Sequence, residues 1–352
     1  MRCLFAAFFA AAAGASAQSD PTILLHHSFA GETSGWTMLG QSGSVRATSG
    51  ALEFSYEVKA KQFALAVLPA PPETARLKRL RFRAKTDHDT AVAVLLSERK
   101  PGGGNYTATF WSPAGAWQTI ELTPADFAAS DGPNDPVDAD GRLDLDQVEG
   151  IGITDVAQLF VVQPENSEFP VAVDRAGGTH KLQIADFEML AGAAPSARPP
   201  LAIDRFDRGY LEWITPGGIK LRLAPADNPL QEGALEAAYE QAEGRYGVLL
   251  RRLAQLDLSQ ATGLAFDIAS RVEATVVISL ELRNGRRFHQ QIFPPAGGEV
   301  FHVGLKFSDF SGDGKLDPSQ LKSLALSDVT AAQGGGGQAN TLWVGKLEGM
   351  AK

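Results

Sequence analysis

The sequence predicts an all-β protein made of two tandem antiparallel β-sandwich domains, and three observations carry that expectation. The chain repeats itself almost end to end, its apolar residues alternate with polar ones at a period of two, and its short apolar runs are separated by Gly, Pro and Asp turns. A two-residue period marks a strand with one buried face, and many such strands at short spacing build a sandwich.

In chain order, Phe29 precedes Trp36 by the same spacing that separates Phe206 from Trp213. The stretch "GALEFSYEV" at 50–58 returns as "GALEAAYEQ" at 233–241. In "LRFRAK" (80–85), matched by "LAFDIA" (264–269), Leu80, Phe82 and Ala84 share one face while Arg81, Arg83 and Lys85 share the other. β-branched runs follow, "AVAVLL" (91–96) and "TVVISLEL" (275–282). Next, "IELTPADF" (120–127) matches "VGLKFSDF" (303–310), and "DGRLDLDQVEGIGITDV" (140–156) matches "DGKLDPSQLKSLALSDV" (313–329). Each copy closes on one more strand, "LQIADFEM" (182–189) and "LWVGKLEG" (342–349). Copy one carries extra residues before its DG turn and before its last strand, in loops, where insertions are tolerated.

Residues 231–253 have good local helix propensity, but the repeat aligns them with an alternating stretch at 50–68, so strand is expected in both copies. These boundaries give a first domain at 21–190, a linker at 191–201 rich in proline and small residues, and a second domain at 202–350.

A chain of 352 residues, 44% of them hydrophobic, holds enough apolar mass for two cores. The formal net charge of -9, with basic residues scattered, speaks against nucleic acid or an anionic membrane as the main partner. Arg2, an apolar run at 4–13 and Ala15-Ser16-Ala17 read as a secretory signal peptide, residues 1–17, whose apolar run is too short to span a bilayer. A secreted or periplasmic protein follows. The only cysteine, Cys3, lies in that segment, so no disulfide and no thiolate metal site is expected in the mature chain.

The order Phe…Trp, "GALEFSYEV", "LRFRAK", the β-branched strand, "AWQTIELTPADF", "DGRLDLDQVEGIGI" and "LQIADFE" resembles the galactose-binding-like jelly rolls, in particular family-11 carbohydrate-binding modules and the complex I intermediate-associated protein family. The resemblance covers nearly the whole mature chain as two copies. It rests on core and turn residues, which specify fold better than ligand. It implies jelly rolls that bind a polysaccharide or oligosaccharide on a concave sheet face, with a structural calcium away from that face. For the ion, it points to carboxylates of the first and last strands: Asp186 and Glu188 in copy one, and Asp204, Asp207 and Glu348 in copy two. The alternative for these groups is ordinary surface ion pairing.

Sugar recognition needs planar polar groups for hydroxyls and aromatic faces for CH groups. The outward positions of copy one offer Ser97, Arg99, Thr107, Thr109 and Trp111, and those of copy two Glu281, Arg283, His289, Gln291 and Phe293. A plain solvated sheet face has the same composition. Trp36, Trp213 and Trp117 are assigned to the cores or the sandwich rims. An EF-hand reading of the DG turns fails on Gln320, which cannot supply a bidentate carboxylate, and on Pro136, which has no ligand oxygen on its side chain. The turns instead fit an Asp capping a short helical turn. The six histidines are scattered, and neither a nucleophile elbow nor a zinc spacing occurs. The expected function is therefore a secreted, non-catalytic carbohydrate-binding protein; the alternative is an interaction or assembly module for an envelope protein.

Overall fold

The computed structural model describes residues 22–59, 62–130, 135–160, 177–192, 199, 201–215, 218–242 and 246–351. The expected signal peptide at 1–17, Cys3, most of the linker and parts of the two extra stretches of copy one lie outside the described residues. The fold is all-β, and among the described residues the only helical elements are a four-residue α-helical turn at Ala157–Phe160 and a few short 3-10 turns. Among the described residues, no helix is long and apolar enough to cross a membrane.

Copy one contributes β1 (Thr22–His27), β2 (Thr37–Gly40), β3 (Gly43–Thr48), β4 (Ala51–Val58), β5 (Ala64–Pro69), β6 (Arg79–Thr86), β7 (Thr90–Glu98), β8 (Asn105–Ser112), β9 (Gln118–Leu122), β10 (Ala128–Ala129), β11 (Val148–Asp155) and β12 (Gly178–Ala191). Copy two contributes β13 (Ala202–Asp204), β14 (Trp213–Ile214), β15 (Lys220–Leu223), β16 (Leu235–Glu240), β17 (Gly247–Arg252), β18 (Gly263–Ser270), β19 (Val276–Leu282), β20 (Arg287–Ile292), β21 (Phe301–Lys306), β22 (Ser311–Gly312), β23 (Leu321–Asp328), β24 (Ala339–Val344) and β25 (Leu347–Met350).

The sheets repeat strand for strand. In copy one, β3-β4-β12-β6-β9, with β1 beside β12, faces β10-β8-β7-β11-β5-β2. In copy two, β13-β25-β18-β24-β16-β15, with β21 beside β18, faces β14-β17-β23-β19-β20-β22. Every named pairing is antiparallel, as β-sandwiches require. The closing strand differs. β12 runs unbroken through a bulge at Asp186, at φ 50°, whereas copy two breaks at the matching point into β24 and β25. The segment with helix propensity forms β16 and β17, because its alternate residues Leu235, Ala237, Tyr239 and Leu249 fill the core between two sheets.

The first core joins Phe54, Phe82, Val92, Val94, Phe110, Ile151, Ile184 and Phe187; the second joins Trp213, Leu264, Phe266, Ile278, Leu280, Leu324 and Leu342. Trp36 and Trp213 are core residues, 2% and 0% exposed. Phe29 and Phe206 share a left-handed φ of 54° and 57°, which in copy two is set by a turn where Asp204 accepts from the Phe206 amide. The DG turn of copy two ends as expected, with Asp317 capping the 3-10 turn Pro318–Gln320.

Each core also holds one buried tyrosine–carboxylate pair at the same end. Tyr56 donates to Asp155 at 2.7 Å, and Tyr239 donates to Asp328 at 2.5 Å. Burial, and then the adjacent carboxylate, pushes both phenols above their ordinary range.

The two copies are joined through a sheet edge. β10 pairs with β8 only at Tyr106 and Thr107, which leaves the edge of β8 from Thr109 to Trp111 to be filled by residues 210–212. Glu212 N donates to Thr109 O at 2.7 Å and Trp111 N to Tyr210 O at 3.3 Å, while the next residues form β14 and pair with β17. Leu211 enters the first core, and Ala91, Trp111 and Val156 of copy one pack on the second. The Glu212 carboxylate, 0% exposed, accepts from the Thr109 amide at 2.9 Å and from its hydroxyl at 3.1 Å. Arg252 completes the latch, 3.4 Å from Glu212 and 2.8 Å from the Thr107 hydroxyl. On the far side of the seam, Arg208 grips Asp126 with two bonds of 2.7 and 2.8 Å.

Removing Glu212 leaves Arg252 and the Thr109 amide without their carboxylate. Glu212→Ala should cost about 3 kcal/mol in chemical denaturation and split one calorimetric transition into two. For Asp126, burial raises the carboxyl and the Arg208 guanidinium more than reverses it, so the folded value lies below 3.8. The stability carried by this pair is thus complete above pH 3.8 and lost as pH falls through the folded value. In urea titrations, the difference between the wild type and Arg208→Ala should be constant at neutral pH and vanish in strong acid.

Candidate functional site

The outer face of the second sheet of copy two is the site with open, convergent polar groups. Alternation along β19 and β20 sends Val276, Ile278, Leu280, Phe288 and Ile292 into the core and Ser279, Glu281, Arg287, His289 and Gln291 outward. Cross-strand register sets Glu281 opposite Arg287, Ser279 opposite His289 and Val277 opposite Gln291. Glu281 receives Arg287 at 3.2 Å and has Lys322 of β23 at 3.9 Å. Ser279 Oγ lies 2.8 Å from His289 Nδ1. Burial, and then the Arg287 charge, lowers His289 below the ordinary imidazole range, so it is neutral at neutral pH and can both donate and accept. Gln291 is exposed, and Phe293, 63% exposed, follows it off the end of β20. Toward the seam the same face continues through Ser323 to Arg252.

The corresponding face of copy one is not free. Thr109 and Trp111 are 4% and 2% exposed under residues 210–212, and Thr107 holds Arg252. These three side chains serve the seam, which corrects their reading as an open sugar-binding row. On the rest of that face, Leu39 is 62% exposed, and the half-buried Ser97 donates to Asn105 at 2.9 Å. Arg99 and Arg283 are likewise displaced from the faces to which the alternation assigns them. Both lie past the end of their strands and close the sheet end through main-chain oxygens, Arg99 to Asp146 at 3.1 Å and Arg283 to Ala254 at 2.6 Å. Trp117 stands on the rim of copy one, with Arg83 and Lys85 over its ring at 5.2 and 4.9 Å.

The carboxylates considered for calcium do not converge. Asp186 pairs with Arg83 at 2.8 Å, Glu188 with Arg81 at 2.6 Å and Glu348 with Lys346 at 3.2 Å. Asp204 accepts from Trp213 Nε1 at 2.8 Å and from the buried Arg251 at 3.1 Å. Asp207 lines a cleft of about 790 Å³ between the copies, where the Asp126–Arg208 and Asp204–Arg251 pairs also lie. Among the described residues, a different set meets in metal-ligand geometry: Asp87, His88 and His180. The sequence gives no spacing signal for it, because the two histidines come from a turn and a distant strand that only the sheet pairing brings together.

Fold and site together define a duplicated β-sandwich protein with a polar row on the outer face of β19 and β20. No family model matches the chain, and no curated protein matches it. Its likenesses among solved structures include a family 11 carbohydrate-binding module from Clostridium thermocellum in complex with a β-1,3-1,4-mixed-linked tetrasaccharide, at 18% identity over 47% of this chain and 94% of that one, with a TM-score of 0.35. A tandem pair of family 22 modules from Paenibacillus barcinonensis spans 94% of this chain and 98% of its own at 14% identity, with a TM-score of 0.30. An exo-β-agarase matches over 43% of this chain and 25% of its own, at 15% identity and a TM-score of 0.37.

Asp204→Ala leaves Arg251, 1% exposed, without its counter-ion. It should destabilise the fold by about 3–5 kcal/mol in urea, and by the same amount with calcium or with chelator present.

Proposed function

We propose that this protein binds carbohydrate without transforming it, through the outer face of β19, β20 and β23 in copy two. The observation that carries the reading is the cross-strand row Glu281–Arg287, Ser279–His289 and Gln291, which presents a carboxylate, a guanidinium, a neutral imidazole, a hydroxyl and an amide on one open surface. Planar donors and acceptors of this kind match the paired hydroxyls of a sugar ring, and Phe293 adds an apolar surface at the end of the row. Arg287 and Gln291 are exposed and the other three half-buried, and Glu281 with Arg287 and Ser279 with His289 are already paired, so a ligand exchanges one set of hydrogen bonds for another. Affinity is then weak, in the range of a module that holds a polymer by many contacts. The reading places one binding face on the molecule, since the equivalent face of copy one is committed to the seam.

Affinity electrophoresis through gels containing soluble polysaccharides tests this. Migration should be retarded by at least one polysaccharide, and Arg287→Ala or Gln291→Ala should restore free mobility, while Thr107→Ala in the seam should not. Because His289 is neutral at neutral pH, retardation should persist there and weaken only below the ordinary imidazole range. No retardation on any polysaccharide, with capture of a defined envelope protein through the same face, would replace the sugar reading with the assembly one.

A further inference from the structure

We propose that copy one carries a divalent transition-metal site, suited to zinc, in which Asp87, His88 and His180 are the ligands and Asp155 orients His88. The turn between β6 and β7 presents Asp87 and His88, and β12 brings His180 alongside. From Asp87 Oδ1, the Nδ1 of His88 lies 2.8 Å away and the Nδ1 of His180 3.4 Å, with the two rings 3.9 Å apart between centroids. Two imidazoles and a carboxylate are ligand types that zinc selects, and bond lengths of about 2.0–2.1 Å in a tetrahedron put ligand atoms roughly 3.3 Å apart. Both separations from Asp87 Oδ1 lie within about half an ångström of that spacing, and the ligand atoms of the three residues all lie within 4.8 Å of one another, which leaves a fourth position for water.

The surroundings are built in the way that metal-binding histidines are. His88 Nε2 is buried 3.0 Å from Asp155 Oδ2, an oblique contact within ion-pair range, and Asp155 is 0% exposed. Asp155 is itself fixed by the Tyr56 hydroxyl at 2.7 Å, the Thr90 hydroxyl at 2.5 Å and the Ala157 amide at 2.8 Å. A carboxylate at Nε2 holds the ring proton there and directs the Nδ1 lone pair toward an ion.

Copy two supplies the internal comparison. Its register places Arg271, Val272 and Asn340 where copy one has Asp87, His88 and His180. There, Asp328 is saturated by Tyr239, Gln241, Thr330 and Asn340. The same buried pair is therefore closed by neutral amides in one copy and opened to solvent through two imidazoles in the other.

Isothermal titration of zinc chloride into the full chain, first stripped with chelator, tests the assignment. One saturable site per chain should appear and be lost in His88→Ala and in His180→Ala, while His289→Ala and His302→Ala keep it. Asp155→Asn should weaken zinc by about 10–100-fold. Because that carboxylate is buried, Asp87→Asn on the exposed turn is the variant that leaves the core untouched, and it should lose affinity with an unchanged circular dichroism spectrum. Cobalt in place of zinc should give the strong visible bands of tetrahedral coordination. Absence of saturable zinc binding by the wild type, or a site that survives both histidine replacements, overturns the proposal.

Discussion

The molecule depends on what happens at the edge of β8. A sheet edge left open exposes main-chain donors and acceptors that must be satisfied somewhere, and here β10 covers only one end of it. Residues 210–212 supply the rest, and because their continuation pairs with β17, the sheet of copy one passes into the sheet of copy two. One segment thus satisfies an edge, seats Leu211 in the first core and starts the second. The buried Glu212, held by Thr109 and Arg252, fixes the register of that join.

The join also decides which surfaces remain available. Duplication produces two equivalent faces, but an edge-to-edge junction covers side chains on the adjoining strand. Copy one loses Thr107, Thr109 and Trp111 to the seam, while in copy two the short β22 covers the start of β20 as β10 does for β8, and no described segment equivalent to 210–212 pairs with the rest of that edge. Equal ancestry therefore does not give equal roles. The same asymmetry recurs at the buried Tyr–Asp pairs, where the second copy closes its carboxylate with Gln241 and Asn340 while the first sets His88 against it, with His180 beside that ring. In each case a core feature is retained and its rim has diverged.

Much of this was legible before any coordinates. The alternation in "LRFRAK" gives the inward Leu80, Phe82 and Ala84 and the outward Arg81 and Arg83 that pair with Glu188 and Asp186. The repeat was strong enough to overrule helix propensity at β16 and β17, since burial between two sheets outweighs a few tenths of a kcal/mol per residue. The polar row on β19 and β20 was readable from the same period, apart from Arg283, whose strand ends one residue earlier than the pattern suggests. The acidic strand residues were misleading, because a carboxylate beside a bulge looks alike in sequence whether its partner is calcium or an arginine across the ladder.

The sequence by itself determined the class of fold, its doubling and the side of each strand that faces a core, because these follow from local periodicity and from a repeat that any reader can align. Only the tertiary structure decided which of the two equivalent faces stays open, which carboxylates are neutralised and which histidines meet. Those outcomes depend on contacts between strands far apart in the chain, at an edge and at a turn, and hydrophobic periodicity carries no information about which edge pairs with which.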